Sequence, residues 1–167
     1  MRLWLLRHAK SSWEDAGVDD RDRPLAPRGE RAGDLMRQYV DEAGIRPDLV
    51  LCSSALRTRQ TLALLLHAFE RDLKIRIESS LYAFDAGSLL ERLRAVPDGV
   101  NSAMLIGHNP AIQELAVRLA PRGELLDKLV QKYPTAALAE LELPVDSWHE
   151  AGETAELIRF VVPRELA

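Results

Sequence analysis

The stretch MRLWLLRHAKSSW, residues 1–13, passes from an apolar run straight into two nitrogen-rich side chains and a small, polar segment. The run at residues 2–6 is typical of a strand in a sheet that is buried on both faces. It ends at Arg7 and His8, whereas strands usually stop at Gly, Asn, Asp or Pro. A lone histidine at a strand end is most often a surface or capping residue. The pair becomes informative only if other segments bring matching groups to the same place.

Strand-like and helix-like patterns alternate along the rest of the chain. Further short apolar runs predict strands at residues 48–53, 74–78, 103–107, 137–143 and 156–162. Between them, four helices are predicted from apolar residues at helical spacing, which lie within residues 32–43, 62–69, 88–96 and 112–119. The alternation predicts an α/β fold: a three-layer sandwich whose central sheet of about six strands is mostly parallel and has helices on both faces. The last two strands follow each other closely, and an antiparallel pairing between them fits the pattern.

Length and composition narrow the class of protein. The 167 residues predict one domain, residues 1–167, and the net charge of −4 argues against general binding to nucleic acid or to a membrane surface. No apolar run is as long as a membrane span, and Met1 leads directly into the first strand rather than into a signal peptide. Cys52 lies in an apolar run and has no second cysteine to pair with, so we expect a buried, reduced thiol. Together these features predict a cytoplasmic protein.

The second predicted strand ends in CSSALRTRQT, residues 52–61. Ser53 or Ser54 is a natural N-cap for the helix that follows, which places Arg57 in the first helical turn. The helix dipole disfavours a cation at this position. Arg57 therefore makes more sense there if an anion lies in front of it.

The fourth predicted strand ends in LIGHNPA, residues 105–111, where Asn109 can cap a helix and Pro110 can take its first position. Ligands of open α/β sheets bind at the carboxyl ends of the strands, so His108 is expected to meet His8 and the arginines there. Two helix N-termini would point free N–H groups at the same edge. The combination predicts an anion site whose size and charge suit a phosphoryl group.

Metal chemistry has no comparable signal in the sequence. His67 and His149 stand alone, and the other histidines are accompanied by arginines rather than by carboxylates. We therefore expect neither a metal nor another cofactor.

Several quoted motifs resemble those of a known family. LLRHAKSSW (residues 5–13), SSALRTRQT (53–61) and IGHNP (106–110) are similar to the signature motifs of the histidine phosphatase superfamily, and DRPLAPRGERA (22–32) resembles the stretch before its first long helix. The small size, the RHAKSSW opening and LYAFDAGSLLERL (81–93) most resemble the compact phosphohistidine phosphatases of the SixA type. The resemblance runs from Leu3 to about Leu119.

The resemblance implies roles for individual residues. His8 would be the nucleophile that takes the phosphoryl group, and Arg7, Arg57 and His108 would bind its oxygens. The chemistry agrees, because a neutral imidazole can attack phosphorus and guanidinium groups can stabilise the transition state without a metal.

Three further residues are candidates for binding the substrate: Ser11, Arg23 and Asn109. Ser11 matches a serine often found three residues after the family's histidine, although it could also be a loop hydroxyl that faces water. Arg23 could reach the substrate or pair with Asp20 or Asp22. Trp13 could line the mouth of the pocket or pack under the polar loop at residues 14–28.

The chain departs from the family pattern at three places. Ala26 replaces a hydroxyl residue that often follows RPL, which removes a local cap but no catalytic group. Ala9 stands where the wider family usually has glycine, which would cost about 1 kcal/mol of strain if φ were positive there, so we expect a differently shaped loop. Larger members place a carboxylic acid after the third strand, whereas this chain has no carboxylate between Glu78 and Asp85.

The favoured hypothesis is a metal-independent phosphatase that forms a phosphohistidine intermediate and removes phosphate from phosphohistidine in a protein partner. The first alternative is a phosphatase of small phosphomonoesters, with Asp85 or Glu78 as the acid. The second is a module that binds phosphorylated partners without turnover, against which the nucleophile itself argues. The oligomeric state is left open, with a monomer as the default expectation.

Overall fold

The computed structural model describes residues 1–69 and 72–167. Six strands lie within these residues: β1 (Arg2–Arg7), β2 (Leu49–Ser53), β3 (Lys74–Glu78), β4 (Ser102–Gly107), β5 (Leu138–Glu142) and β6 (Glu156–Val161). Five α-helices accompany them: α1 (Pro27–Glu42), α2 (Leu56–Leu65), α3 (Ala86–Arg94), α4 (Ala111–Leu119) and α5 (Leu126–Gln131). Short 3-10 helices cover Asp20–Asp22, Leu66–Ala68, Ser79–Leu81, Trp148–Glu150 and Pro163–Glu165.

All six predicted strands are confirmed, with ends that move by a residue at most, whereas the helix bounds need correction. α1 begins at Pro27 instead of residue 32, because the proline opens the helix after Ala26. α2 ends at Leu65 and continues only as a 3-10 turn. α3 covers residues 86–94 rather than 88–96, since the side chain of Asp85 accepts a hydrogen bond from the amide of Ser88 and so caps the helix. α5, a helix of six residues, was not predicted.

The strands form one sheet in the order β3-β2-β4-β1-β5-β6. β1 with β4, β2 with β4 and β2 with β3 are parallel, while β1 with β5 and β5 with β6 are antiparallel. The antiparallel pairing of the last two strands is thus confirmed. Because β1, β2 and β4 run in the same direction, their last residues Arg7, Ser53 and Gly107 reach the same edge of the sheet.

The sheet is covered on both faces, which confirms the three-layer α/β architecture. On β1, Leu3 and Leu5 pack toward α3 and α4, whereas Trp4 and Leu6 pack toward α1 and α2. Burial on both faces explains why the strand sequence is continuously apolar instead of alternating with polar residues. No helix in the described part of the chain is long and apolar enough to cross a membrane.

Cys52 lies fully buried in β2, as predicted. Burial raises the pKa of its thiol to about 12, so the group stays protonated at neutral pH. The cysteine therefore fills core volume and has little nucleophilic character.

The loop at residues 8–13 is held by backbone contacts with residues 24–26. The amide of Ser12 donates to the carbonyl of Pro24 (2.8 Å), and the amide of Ala26 donates to the carbonyl of Lys10 (2.9 Å). The first turn of α1 approaches so closely that a Cβ on Gly29 would lie 2.1 Å from the carbonyl oxygen of Lys10. Only glycine leaves room for the loop at this point.

Ala9 does not have the positive φ that would strain an alanine. Among the described residues, Ala136 is the non-glycine residue with a positive φ, and Ala9 has an ordinary backbone conformation. Alanine is therefore accommodated at residue 9 without backbone strain.

Candidate active site

The ends of β1, β2 and β4 open onto a cavity of about 300 Å³. This volume is at the lower end of the range of about 300–1,000 Å³ that is usual for small-ligand sites. All seven residues named from the sequence as catalytic or substrate-binding candidates line it. The complete lining is Arg7, His8, Lys10, Ser11, Trp13, Asp20, Arg23, Arg57, Phe84, His108, Asn109 and Thr135.

His8 is held in a single tautomer by its neighbour in the chain. Its Nδ1 lies 2.6 Å from the carbonyl oxygen of Ala9, which can only accept, so Nδ1 carries the ring proton and Nε2 keeps a free lone pair. Burial, together with the positive charges of Arg57 and Arg7, lowers the pKa of His8 to about 4. The ring is therefore neutral at pH 7. A neutral imidazole with a free Nε2 can attack phosphorus.

His108 lies beside His8, with ring centroids 5.2 Å apart. Its Nδ1 is 3.2 Å from Nη2 of Arg57, and its Nε2 is 2.8 Å from the hydroxyl of Ser53. Because a guanidinium only donates, Nδ1 is the acceptor and Nε2 donates its proton to Ser53. Burial, with the nearby His8 and Arg57, lowers the pKa of His108 to about 3. The ring is thus neutral and fixed from both sides.

The start of α2 differs from the predicted cap. Ala55 occupies the N-cap position without a side-chain hydrogen bond, and the hydroxyl of Ser53 is close to both the amide of Ala55 (3.4 Å) and His108. Ser54 is not the cap either, since its hydroxyl has no partner among the described residues. Ser53 therefore binds the site histidine instead of capping the helix. Arg57 does fall in the first helical turn, as predicted.

The anion in front of Arg57 is a carboxylate of the chain itself. Nη1 of Arg57 donates to the backbone carbonyl of Asp20 (2.6 Å), and Nη2 lies 3.0 Å from Oδ2 of the same residue. The carboxylate also accepts from Arg23 and from the hydroxyl of Tyr82. Although partial burial opposes it, hydrogen bonding from Tyr82 and Arg57 holds the pKa of Asp20 below its ordinary value. Asp20 is therefore ionised at neutral pH.

Two guanidinium groups retain unused donors at the cavity. Nη1 of Arg7 donates to the carbonyl of Tyr133 (2.8 Å), but Nε of Arg7 and Nε of Arg23 are buried without a partner among the described residues. Burial lowers the pKa of Arg7, whose guanidinium nevertheless stays charged. A buried donor without a partner costs about 1–3 kcal/mol, so these positions favour an acceptor-rich ligand such as an oxyanion.

Asn109 lines the cavity, but its side-chain amide is hydrogen-bonded to backbone groups of the protein. Its Nδ2 donates to the carbonyl of Tyr133 (3.2 Å), and its Oδ1 accepts from the amide of Gln113 (3.3 Å). The side chain thus satisfies an amide of the first turn of α4, in line with a capping function. Pro110 is the N-cap residue of that helix rather than its first residue, which corrects the sequence-based placement.

Ser11 and Trp13 occupy opposite environments on the same loop. Ser11 is only 7% exposed and bridges to Leu25, so its hydroxyl is not a water-facing group of a free loop. Trp13 is 74% exposed at the cavity and does not pack under the 14–28 loop. The guanidinium of Arg23 stacks on the indole, 3.2 Å from the ring centroid, so Arg23 contacts both Trp13 and Asp20.

The two carboxylates considered as acids lie elsewhere. Glu78 forms ion pairs with Arg92 (2.7 Å) and Arg76 (3.1 Å), and hydrogen bonding from Arg92 lowers its pKa. Asp85 caps α3, and the backbone hydrogen bond from Ser88 lowers its pKa. Neither residue lines the cavity.

Sequence reasoning missed four residues of the cavity wall: Lys10, Asp20, Phe84 and Thr135. Asp20 was considered only as a partner of Arg23, three residues later in the chain. That i, i+3 spacing of opposite charges was the available signal, and the 3-10 turn at Asp20–Asp22 realises it. Lys10 and Phe84 lie inside the quoted motifs RHAKSSW and LYAFDAGSLLERL, but nothing local singles out either of them, or Thr135, as a member of a pocket.

Comparisons with known proteins agree with this geometry. The family model of the histidine phosphatase superfamily (branch 1) matches residues 3–96. An uncharacterized protein of Mycobacterium tuberculosis is 36% identical over 164 residues, which cover 95% of this chain and 100% of the relative. The crystal structure of a candidate phosphohistidine phosphatase SixA from Agrobacterium tumefaciens superposes with a TM-score of 0.84 at 31% identity, covering 97% of each chain.

A protein histidine phosphatase SixA complexed with tungstate shares the fold, with a TM-score of 0.82 over 100% of both chains at 23% identity. The resemblance stated from the motifs is thereby confirmed. The family match covers more than half of the chain and includes Arg7, His8 and Arg57. The chain belongs to the histidine phosphatase superfamily.

Proposed function

We propose that this protein is a metal-independent phosphatase that forms a phosphohistidine intermediate on His8 and removes phosphate from phosphohistidine in a protein partner. The observation that carries the proposal is the hydrogen bond from His8 Nδ1 to the carbonyl of Ala9. It leaves Nε2 unprotonated in a cavity lined by the guanidinium groups of Arg7, Arg23 and Arg57. The candidate SixA phosphatase from Agrobacterium tumefaciens supports the same substrate class.

In the first step, the lone pair of His8 Nε2 attacks phosphorus and forms a P–N bond. The free ring nitrogen of the substrate has taken up a proton from water, so the P–N bond of the substrate breaks with its electron pair on the leaving nitrogen, and the ring departs as neutral imidazole. In the second step, water attacks phosphorus, the bond to Nε2 breaks with its electron pair returning to the ring, and inorganic phosphate leaves. The water proton is released, so the enzyme returns to its starting state.

Charge stabilisation in both steps would come from the chain itself. Phosphoryl transfer needs mainly positioning and neutralisation of charge on the phosphoryl oxygens. Arg57 is 4% exposed and Arg7 keeps an unused Nε donor, so both can act in a site that is largely shielded from water. His108, fixed between Arg57 and Ser53, borders the same space.

The groups that could donate a proton at this site favour cleavage of a P–N bond over cleavage of an alkyl P–O bond. An alkoxide leaving group needs a positioned acid, which typically contributes about 10²–10⁴-fold to the rate. The carboxylate on the cavity wall, Asp20, is ionised because Tyr82 and Arg57 hydrogen-bond to it, so it has no proton to give at neutral pH. Phosphohistidine needs no such acid, because the free ring nitrogen of the substrate takes up a proton from water, with an ordinary histidine pKa of about 6.5, and the ring then leaves as neutral imidazole.

A substrate panel tests the proposal. It compares phosphohistidine, phosphoserine and phosphotyrosine peptides with small alkyl phosphates, in the presence of EDTA. We expect kcat/KM for phosphohistidine to exceed that for phosphoserine by about 10²-fold or more, because no acid assists the alkoxide. EDTA should leave this activity unchanged, and vanadate should inhibit it as a mimic of five-coordinate phosphorus.

Each alternative gives a different result. Alkyl phosphates cleaved as fast as phosphohistidine would identify a phosphatase of small esters. Binding of phosphopeptides without turnover would identify a binding module, and loss of activity in EDTA that is restored by zinc or magnesium would overturn the metal-independent mechanism. The cytoplasmic location, the monomeric state and the lack of nucleic-acid and membrane partners stay predictions.

A further inference from the structure

Two large aromatic side chains at the cavity have no use in the phosphoryl chemistry described above. Six large apolar side chains in the described part of the chain are exposed, and two of them, Trp13 and Phe84, line this one cavity. Their side chains are 74% and 45% exposed. Single exposed apolar residues are common and need no explanation. Two aromatic rings on the wall of a polar, cationic pocket are a different case.

Phe84 lies against the ring of a site histidine. Its centroid is 5.3 Å from that of His108, which in turn lies 5.2 Å from His8. Tyr82 packs edge-on against Phe84 at 5.1 Å and donates its hydroxyl proton to Asp20. Phe84 is thereby held next to the site histidines while nearly half of its surface stays exposed.

Trp13 is connected to the anion site by a chain of charged groups. The guanidinium of Arg23 stacks on the indole, the same guanidinium pairs with Asp20, and Asp20 binds Arg57. The loop that carries Trp13 also pairs with Leu25 through Ser11. The indole is therefore anchored at the cavity and still offers most of its surface.

We infer that Trp13 and Phe84 form the leaving-group subsite, which binds the aromatic ring that carries the phosphoryl group. The inference rests on the proposed function, in which that ring is the imidazole of phosphohistidine. Flat rings pack favourably against aromatic side chains in offset or edge-on arrangements. The protonated ring of the bound substrate is cationic, and tryptophan is the aromatic side chain that attracts cations best. The subsite thus binds the aromatic leaving group, which a substrate with ammonia as its leaving group lacks.

The experiment uses two P–N substrates that differ in the ring. One is a phosphohistidine peptide and the other is phosphoramidate, whose leaving group is ammonia. Trp13→Leu and Phe84→Leu remove the aromatic surface, Trp13→Phe and Phe84→Tyr restore it, and Val130→Ala changes an exposed apolar side chain outside the cavity lining. All proteins are assayed as the full chain, with kcat/KM as the readout.

We expect each leucine variant to lower kcat/KM for the phosphohistidine peptide by about 3- to 10-fold, the range that aromatic pairing supports. Phosphoramidate turnover should stay within about twofold of wild type, which also shows that the variants are folded. The aromatic replacements should recover most of the loss, and Val130→Ala should change neither substrate.

Equal losses on both substrates would overturn the subsite, because they would indicate that the rings only support the loop. Unchanged turnover of both substrates would overturn it as well. Failure of the proposed function would give a different result, in which wild-type protein cleaves phosphoramidate and leaves the phosphohistidine peptide intact. That result would also overturn the assignment of an imidazole ring to the subsite.

Discussion

Replacing Gly29 by alanine tests how the 8–13 loop is held against α1. The new Cβ would lie 2.1 Å from the carbonyl oxygen of Lys10 and 2.9 Å from its carbonyl carbon. Favourable contacts between nonbonded heavy atoms need about 3.5 Å, so the two backbones must separate by about 1 Å or more. Both partners are backbone, and no side-chain rotation can relieve the clash.

The loss in the free energy of unfolding can be worked out from the contacts of Lys10. Overpacking costs about 1–3 kcal/mol, and losing the hydrogen bond from the amide of Ala26 to Lys10 adds about 0.5–1.5 kcal/mol. Alanine is more favourable than glycine within a helix, which offsets up to about 1 kcal/mol of this loss. The net loss is about 2 kcal/mol, which lowers Tm by about 4–8 °C in a chain of this size. A shift of 1 Å in a loop that carries His8 should also reduce kcat/KM by about 10²-fold.

Calorimetry and steady-state kinetics with an aryl phosphate measure both effects. Gly33→Ala is an intermediate control, because its one close contact, at 2.6 Å, is with the flexible end of the Leu64 side chain, and Ala9 Cβ lies at an ordinary 3.9 Å. Gly152→Ala is a neutral control, since its nearest neighbour lies 3.8 Å away. We expect the order of Tm losses to be Gly29, Gly33, Gly152. A Gly29→Ala protein that melts and turns over like Gly152→Ala would refute the described contact between loop and helix.

Three further predictions concern the site. Rapid alkaline quenching during turnover should trap phosphate on His8 through an acid-labile, base-stable bond; labelling that persists in His8→Ala would remove it from this role. Glu78→Gln and Asp85→Asn should change phosphohistidine turnover less than about threefold, well below the 10²–10⁴-fold that a general acid contributes, and abolished turnover in either would reveal such an acid. Burial lowers the pKa values of His8 and His108 to about 4 and about 3. Below pH 6.5 the unfolded chain therefore binds more protons than the folded chain. The free energy of unfolding should fall as the pH drops from 6.5 toward 4. Ring protonation of either histidine at pH 5.5, seen by NMR, would contradict this.

The fold and the central site residues could be predicted because their signals are local. Continuous apolar runs mark strands buried on both faces, and the residue after each run falls at the sheet edge whatever the distant chain does. Arg7, His8 and His108 follow directly from that rule, and Arg57 follows from the helix that begins just after the second run. The rule does not depend on which strands are neighbours.

Residues that reach the cavity through tertiary contacts could not be predicted. Asp20 meets Arg57 across 37 residues of sequence, and the carbonyl of Tyr133 meets Arg7 across 126 residues. Neither contact leaves a periodic pattern. The predicted serine cap of α2 was wrong for a related reason: Ser53 has the right chemistry for a cap, but its hydroxyl accepts a hydrogen bond from a histidine 55 residues away.

The position of β1 in the sheet has a consequence for synthesis of the chain. Leu5 pairs with Leu105, so the strand that leads to His8 is made 100 residues before its parallel partner. At about 5–20 residues per second, the apolar run waits about 5–20 s on the ribosome before β4 is complete. An unpaired apolar strand is a site for wrong pairing and for chaperones during that interval. A nascent chain that stops before β4 has His8 and Arg57 but no parallel partner for β1, and it should gain phosphatase activity only once residues 102–107 have been added.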